Sequence, residues 1–344
     1  NPCGEQPLLP YESCNLGSVN LARMLARTDN GFEVDWQLLR RTVRLAVHFL
    51  DNVIDANRYS VAEIERMTKL TRKVGLGVMG FADMLVRLGI PYDSDGGLEM
   101  GGKIMAFISQ EADVASIELA KTRGPFPAFI GSKHDYPGGP ELRNACRLTV
   151  APTGTISMIA GCSSGIEPLF ALAYRKQNIL EGQTLYYIND AFEAIARYGN
   201  FYSNDLAEWL SGGNSLTQTE VPDWVKVLFT TAPEIDPEWH VRMQAAFQEH
   251  TDAAISKTIN FPNSATVDDV RNAYLLSWNL GCKGITVYRA GSREKEVLTA
   301  GTQQLAVSAA EESNQDINGS TSQTLVPRKR PQQVQGITER IRTG

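Results

Sequence analysis

The first five residues, Asn1-Pro2-Cys3-Gly4-Glu5, set an amide, a thiol and a carboxylate at alternate positions. Alternate residues of an extended segment project to the same side, so these three groups can converge on one bound molecule. Together they offer a hydrogen bonder, a sulfur nucleophile or radical carrier, and a general base. An inert small cysteine in a turn-rich segment would look the same locally. A second thiol, Cys14, follows in Glu12-Ser-Cys-Asn-Leu-Gly17. Two nearby thiols can supply two electrons to a reduction by closing a disulfide. A buried structural cysteine is the alternative reading.

A further candidate is Pro152-Thr153-Gly154-Thr155-Ile156, where an apolar run enters a turn of small hydroxyl residues and glycine. Backbone N–H groups and hydroxyls exposed in such a turn suit a phosphate or pyrophosphate. The turn lacks the lysine of a Walker A loop, so an ordinary strand-to-helix connection reads equally well. Gly75-Leu-Gly-Val-Met-Gly80 matches G-x-G-x-x-G, but a charged, helical run precedes it where a dinucleotide fingerprint needs an apolar strand, and that reading is rejected. His48, His134, His240 and His250 show no metal-ligand spacing and read as surface or packed histidines.

Helices and strands must position these groups. Trp36, Leu39, Val43, Ala46, Val47, Leu50 and Ile54 recur at helical intervals and predict a helix from Asp35 to about Asn57. Further helices are expected over Val61 to Lys73, Phe81 to Leu88 with Gly89 as its stop, Gly102 to Thr122, and Val267 to Leu280. Short strands are expected at Arg147–Val150 and Ile285–Tyr288, and residues 1–20 read as loop and short extended pieces. Strands alternating with helices and ending in Gly-rich loops indicate an α/β architecture with a largely parallel sheet, whose sites lie at the loops after the strands. From Glu294 to the end the composition turns polar and then basic, which predicts a flexible linker or tail over 294–344 behind a folded part over 1–293.

The bulk composition narrows the function. With 42% hydrophobic and 21% charged residues in 344, the chain can bury a large core. A formal net charge of −6 argues against nucleic acid as the main partner, since phosphate-backbone binding needs clustered Lys and Arg. No long apolar run and no secretory signal are visible, so no membrane partner and a cytoplasmic location are expected. The five cysteines are widely spaced and odd in number, unlike a disulfide framework or a zinc site. The chain opens on a dense motif without an initiator Met and is read as a fragment.

At NPCGEQ, ESCNLGSVNL, APTGTIS and GCKGITVYR, in order from Asn1 to about Arg293, the sequence closely resembles ribonucleotide reductases, in particular the adenosylcobalamin-dependent class. The resemblance implies the C-terminal half of a ten-stranded α/β barrel, with the radical cysteine, Cys3, on a central finger loop. It places Asn1 at the ribose hydroxyls, Glu5 as acceptor of the 3′-hydroxyl proton, and Cys14 as one of two cysteines that form a disulfide. It assigns the substrate phosphates to Pro152, Thr153, Gly154, Thr155 and Ile156. It also implies adenosylcobalamin as radical source, a ribonucleoside di- or triphosphate as substrate, and a dithiol reductant such as thioredoxin. An intact homo-oligomer is expected, in which an upstream half-barrel supplies the partner of Cys14; the fragment alone should not turn over. Two alternatives stand beside this. One is a reductase class fed by a separate radical subunit through paired tyrosines, where this chain has only Val287-Tyr288. The other is a non-catalytic nucleotide-binding module.

Overall fold

The structure is a computed structural model, described for residues 3–29, 31–179 and 183–292, without the side chains of residues 174–187. Asn1 and the expected linker at 294–344 lie outside the described residues. In chain order the elements are β1 (Asn15–Asn20), β2 (Leu25–Thr28), β3 (Gly31–Val34), α1 (Trp36–Ala56), α2 (Ala62–Thr71), β4 (Val74–Met79), α3 (Phe81–Leu88) and α4 (Asp95–Arg123). They continue as α5 (Gly154–Ala160), β5 (Ala173–Ile179), β6 (Gln183–Ile188), α6 (Asp190–Tyr198), α7 (Asn204–Ser211), α8 (Asp223–Leu228), α9 (Pro237–Gln248), β7 (Thr258–Phe261), α10 (Val267–Asn279) and β8 (Thr286–Arg289).

The strands form an arc in sequence order. β1 runs parallel to β4, from Asn15 opposite Val74 to Asn20 opposite Met79. On its other edge β4 pairs with the segment at 146–150: the Val74 N–H donates to the Cys146 carbonyl at 2.9 Å, and the Thr149 N–H to the Leu76 carbonyl at 3.1 Å. That segment pairs in turn with 253–256 through a parallel bridge between Val150 and Ile255. The chain then continues into β7, which is parallel to β8. Every crossover carries helices, as parallel pairing demands. This is part of an α/β barrel, the fold class expected. β2 with β3 and β5 with β6 form antiparallel hairpins outside the arc.

The helices were legible where their buried faces are regular. α1 buries Leu39, Val43, Val47, Leu50 and Ile54 against a core that includes Ile104, Met105, Ile108 and Ala112 of α4. Burial of each large side chain contributes about 1.5–3 kcal/mol. Asp35 caps α1, its carboxylate accepting from the Leu38 N–H at 2.8 Å. α2 ends at Thr71, two residues before the expected Lys73, because Arg72 turns left-handed (φ 47°) to direct its guanidinium at Asp51 and Asp55. α4 starts at Asp95, seven residues before the expected Gly102. Its early glycines hid it, and packing explains one of them: a Cβ on Gly101 would stand 2.6 Å from the Phe247 ring.

Gly75-Leu-Gly-Val-Met-Gly80 is not a phosphate loop. Its first five residues lie in β4, a wholly buried strand that the sequence reading did not assign. Gly77 is required by close approach, since a Cβ there would lie 2.2 Å from the Thr149 carbonyl oxygen. Gly80, at φ 73°, opens α3. Among the described residues no helix is long and apolar enough to cross a membrane.

Candidate active site

The loop between Cys3 and Cys14 lies across the arc. The Glu5 carbonyl accepts from the Ala254 N–H at 2.9 Å and from the Thr149 hydroxyl at 2.6 Å, which ties the loop to two adjacent parallel segments. Its tip, Gly4 at φ 76°, approaches Gly284, just ahead of β8. Cys3 is half-buried beside this tip. Glu5 is 3% exposed, and its Oε2 is buried with no hydrogen-bond partner among the described residues.

Cys14 sits at the root of the loop, immediately before β1. Burial pushes its thiol well above the ordinary range; the Cys146 thiol adds to the rise, Lys73 opposes it, and the carboxylates of Glu12 and Glu5 add smaller contributions. Glu5 and Cys14 therefore lie within electrostatic reach of each other. Glu12 is itself buried, its Oε2 accepting from Lys73 Nζ at 2.6 Å and from the Leu9 N–H at 2.7 Å. Cys146 is pushed up to about 12, chiefly by burial. The buried Cys146 thiol and the half-buried Cys14 thiol both stay protonated at neutral pH, a state suited to donating hydrogen and unsuited to attack as thiolates.

The Pro152–Ile156 segment, expected as a turn, follows the segment that holds Glu5; only Pro152 and Thr153 turn the chain, and Gly154, Thr155 and Ile156 open α5. Thr149 and Pro152 are three residues apart, about 10 Å of extended chain at ~3.3 Å per residue. Pro152, Gly154, Thr155 and Ile156 are exposed, while Thr153 is buried, left-handed at φ 55°, and accepts from the Gly165 N–H at 2.7 Å. The sequence-derived residues thus divide into a buried acid–thiol neighbourhood with a half-open thiol, and an exposed turn at the end of the same parallel segment. Among the described residues no group of three or more His, Cys, Asp or Glu side chains is placed to hold a metal ion.

Residues 1–139 and 140–288 match the family model of the ribonucleotide reductase barrel domain. The chain belongs to this family. It is 52% identical over 302 residues to a vitamin B12-dependent ribonucleoside-diphosphate reductase of Thermoplasma acidophilum, an alignment covering 88% of this chain and 39% of that protein. It is 51% identical over 301 residues to a protein of the same name from Mycobacterium tuberculosis, covering 87% of this chain and 42% of the relative. The chain therefore spans about two fifths of these relatives. In fold, this reductase barrel is similar to the class Id ribonucleotide reductase alpha subunit of Actinobacillus ureae, with a TM-score of 0.68 at 24% identity over 84% of this chain and 52% of that one.

Several residues of the barrel escaped the sequence reading. Thr149, which anchors Glu5, sits unremarked in an apolar run. Glu12 with Lys73, and Lys257 with Glu167 and His240, are partners that only the fold brings together. A lysine inside the apolar stretch Ala254-Ile-Ser-Lys-Thr-Ile-Asn-Phe261 was the one available signal for the last group. Of the histidines, His240 is fully buried, while His48 is exposed and within 3.0 Å of Arg123.

Proposed function

We propose that this segment, within its full-length protein, reduces ribonucleoside diphosphates to 2′-deoxyribonucleotides by thiyl-radical chemistry at Cys3. The observation that carries the reading is the unpartnered, buried Oε2 of Glu5, two residues from a half-open thiol. A buried carboxylate oxygen without a donor costs free energy unless a ligand supplies one, and a substrate hydroxyl does so.

Cys3 gives up its S–H hydrogen, removes the ribose 3′-hydrogen and later returns it. Glu5 accepts the 3′-hydroxyl proton at Oε2 as the 2′-hydroxyl leaves as water with a proton from the thiol pair, and it returns its proton to O3′ when the intermediate is reduced. Cys14, kept protonated by burial, donates one of the two thiol hydrogens, and a cysteine upstream of this chain completes the disulfide. Asn1 holds the ribose hydroxyls, and the Pro152–Ile156 turn receives the phosphates through its exposed N–H groups and hydroxyls. The names of the Thermoplasma and Mycobacterium relatives favour adenosylcobalamin, which when bound supplies the carbon radical that abstracts hydrogen from a thiol. The residues fit such a group: the Cys3 thiol is partly accessible from outside, and a cobalt carried in its own macrocycle needs no nest of side chains. β8 offers Val287-Tyr288, and a relay through paired tyrosines from another subunit lacks its second ring. A dithiol protein such as thioredoxin re-reduces the disulfide, in the cytoplasm, in a homo-oligomeric enzyme.

The full-length protein, supplied with a ribonucleoside diphosphate, a dithiol and adenosylcobalamin, should form deoxyribonucleotide together with a coupled cob(II)alamin–thiyl signal in electron paramagnetic resonance. Activity that ignores the cobalamin and needs an added di-metal subunit would assign the chain to the other reductase class. Nucleotide binding with no thiol-dependent turnover under either condition would favour the non-catalytic module.

A further inference from the structure

Lys257 is fully buried, and its ammonium meets three acceptors: Glu167 Oε2 at 2.8 Å, His240 Nδ1 at 3.0 Å and the Thr258 carbonyl at 3.3 Å. His240 Nε2 faces the Ala232 carbonyl at 3.3 Å, so its N–H points there and Nδ1 is left bare to accept from the lysine. Burial, with Lys257 adding, holds the imidazole pKa down to about 2, so the ring stays neutral. Glu167 is bound at both oxygens, Oε1 accepting from the Thr258 N–H at 2.6 Å. An ion pair whose cation is fully buried gives little net stability over an apolar pair of similar size, and its use is more often to fix one conformation.

The conformation fixed here is that of the loop at 162–168. Next to Glu167, the Ile166 carbonyl accepts from the buried Tyr92 hydroxyl at 2.6 Å. One residue earlier, the Gly165 N–H donates to Thr153 Oγ1 at 2.7 Å, and Ser164 and Ser157 share a hydroxyl contact of 2.8 Å. Thr153 is thereby held at φ 55°. A left-handed, non-glycine residue is strained and persists only where its surroundings enforce it.

We propose that Lys257 is a positioning residue for the substrate's phosphates: by gripping Glu167 it holds the 162–168 loop against Thr153 and so fixes the shape of the Pro152–Ile156 turn. This rests on the reading of that turn as the phosphate site. Among the described residues Lys257 makes no hydrogen bond or ion pair to the turn or to the Cys3 loop, so its effect is on binding geometry and not on the radical steps.

The test uses the full-length enzyme and two probes, a ribonucleoside diphosphate and the same nucleoside without phosphates. Lys257→Met should raise KM and the dissociation constant for the diphosphate about tenfold, the equivalent of one well-made hydrogen bond, and leave kcat near wild type. Affinity for the bare nucleoside should not change. Glu167→Gln, which keeps the size of the side chain and the bond from Thr258, should show the same selective loss to a smaller degree, and it serves if the methionine variant does not fold. Equal weakening of both probes, or a fall in kcat at unchanged KM, would overturn the proposal. Thr155→Glu, at an exposed position of the turn, separates the two readings. If it repels the diphosphate while Lys257→Met and Glu167→Gln bind normally, the clamp is wrong and the turn is right. If it has no effect, the turn is not the phosphate site and the clamp falls with it.

Discussion

Two buried carboxylates of this barrel segment, Asp51 and Glu5, are treated in opposite ways. Asp51, on α1 and without exposure, has both oxygens filled: Oδ1 accepts from Arg72 Nε at 2.9 Å and Asn144 Nδ2 at 3.0 Å, and Oδ2 from Arg123 and Arg143 at 3.3 Å each. Arg72 also grips Asp55, whose carboxyl is held below its ordinary range chiefly by that hydrogen bond. Glu5, almost as deeply buried, leaves Oε2 with no partner among the described residues. The saturated carboxylate joins α1, α4 and the 143–147 segment into a frame. The unsatisfied one stands two residues from the thiol, on a loop that the frame carries. Among the described residues Glu12 lies between the two, with Oε2 paired to Lys73 and Oε1 without a donor, so the contrast is sharpest for Glu5, which has no cation beside it to explain its burial.

The contrast can be broken most severely at the thiol. In the full-length protein Cys3→Ser should abolish both deoxyribonucleotide formation and hydrogen exchange with the cofactor's 5′ position, because a serine O–H bond is too strong to yield its hydrogen, while the urea midpoint stays near wild type. Cys14→Ser should retain the exchange and lose multiple turnover. Exchange at the wild-type rate in the Cys3 variant would remove it from the radical role.

Glu5→Gln comes next in size. Loss of the proton acceptor should lower kcat by about 10²–10⁴, the usual worth of a general base. Because Oε2 has no donor to lose among the described residues, the thermal midpoint of the variant should not fall. A destabilised but active Glu5→Gln would place Glu5 with the frame and erase the distinction.

The smallest effects belong to the frame and should appear in unfolding instead of kcat. Asp51→Ala strands the mostly buried Arg72 and Arg143 and should cost about 3–5 kcal/mol in urea unfolding. Arg123→Ala removes only a partly exposed member of a redundant set, 36% exposed, and should cost within ~1 kcal/mol. If the two were equal, the redundancy inferred from the geometry would be wrong.

How far the sequence reveals this arrangement follows from the range of the interactions. α1, α3 and α10 declare themselves because each carries its own spacing and its stops, such as the left-handed Gly89. The motif at Cys3 and Glu5 is legible because its members are neighbours in sequence. β4 was hidden because glycines within a strand signal a turn locally, while the reason for Gly77, the backbone at Thr149, lies more than seventy residues away. The Asp51 frame and the Lys257 clamp bring together residues 17–93 positions apart, and no local pattern announces them. The helices at 190–248 are short and expose Tyr198, Trp209 and Trp224, which blurs the apolar spacing that would announce them.

Gly77 works as a ruler. A methyl group there would stand 2.2 Å from the Thr149 carbonyl, so Gly77→Ala has to push the two parallel segments apart. Thr149 is also the residue whose hydroxyl holds the Glu5 carbonyl. The gauge of one strand pair, set by the smallest side chain, is therefore passed through a single threonine to the height at which the acid and the thiol are presented. In a mutational scan this glycine should behave like a catalytic position, intolerant of every substitution, although it offers no functional group and touches no substrate.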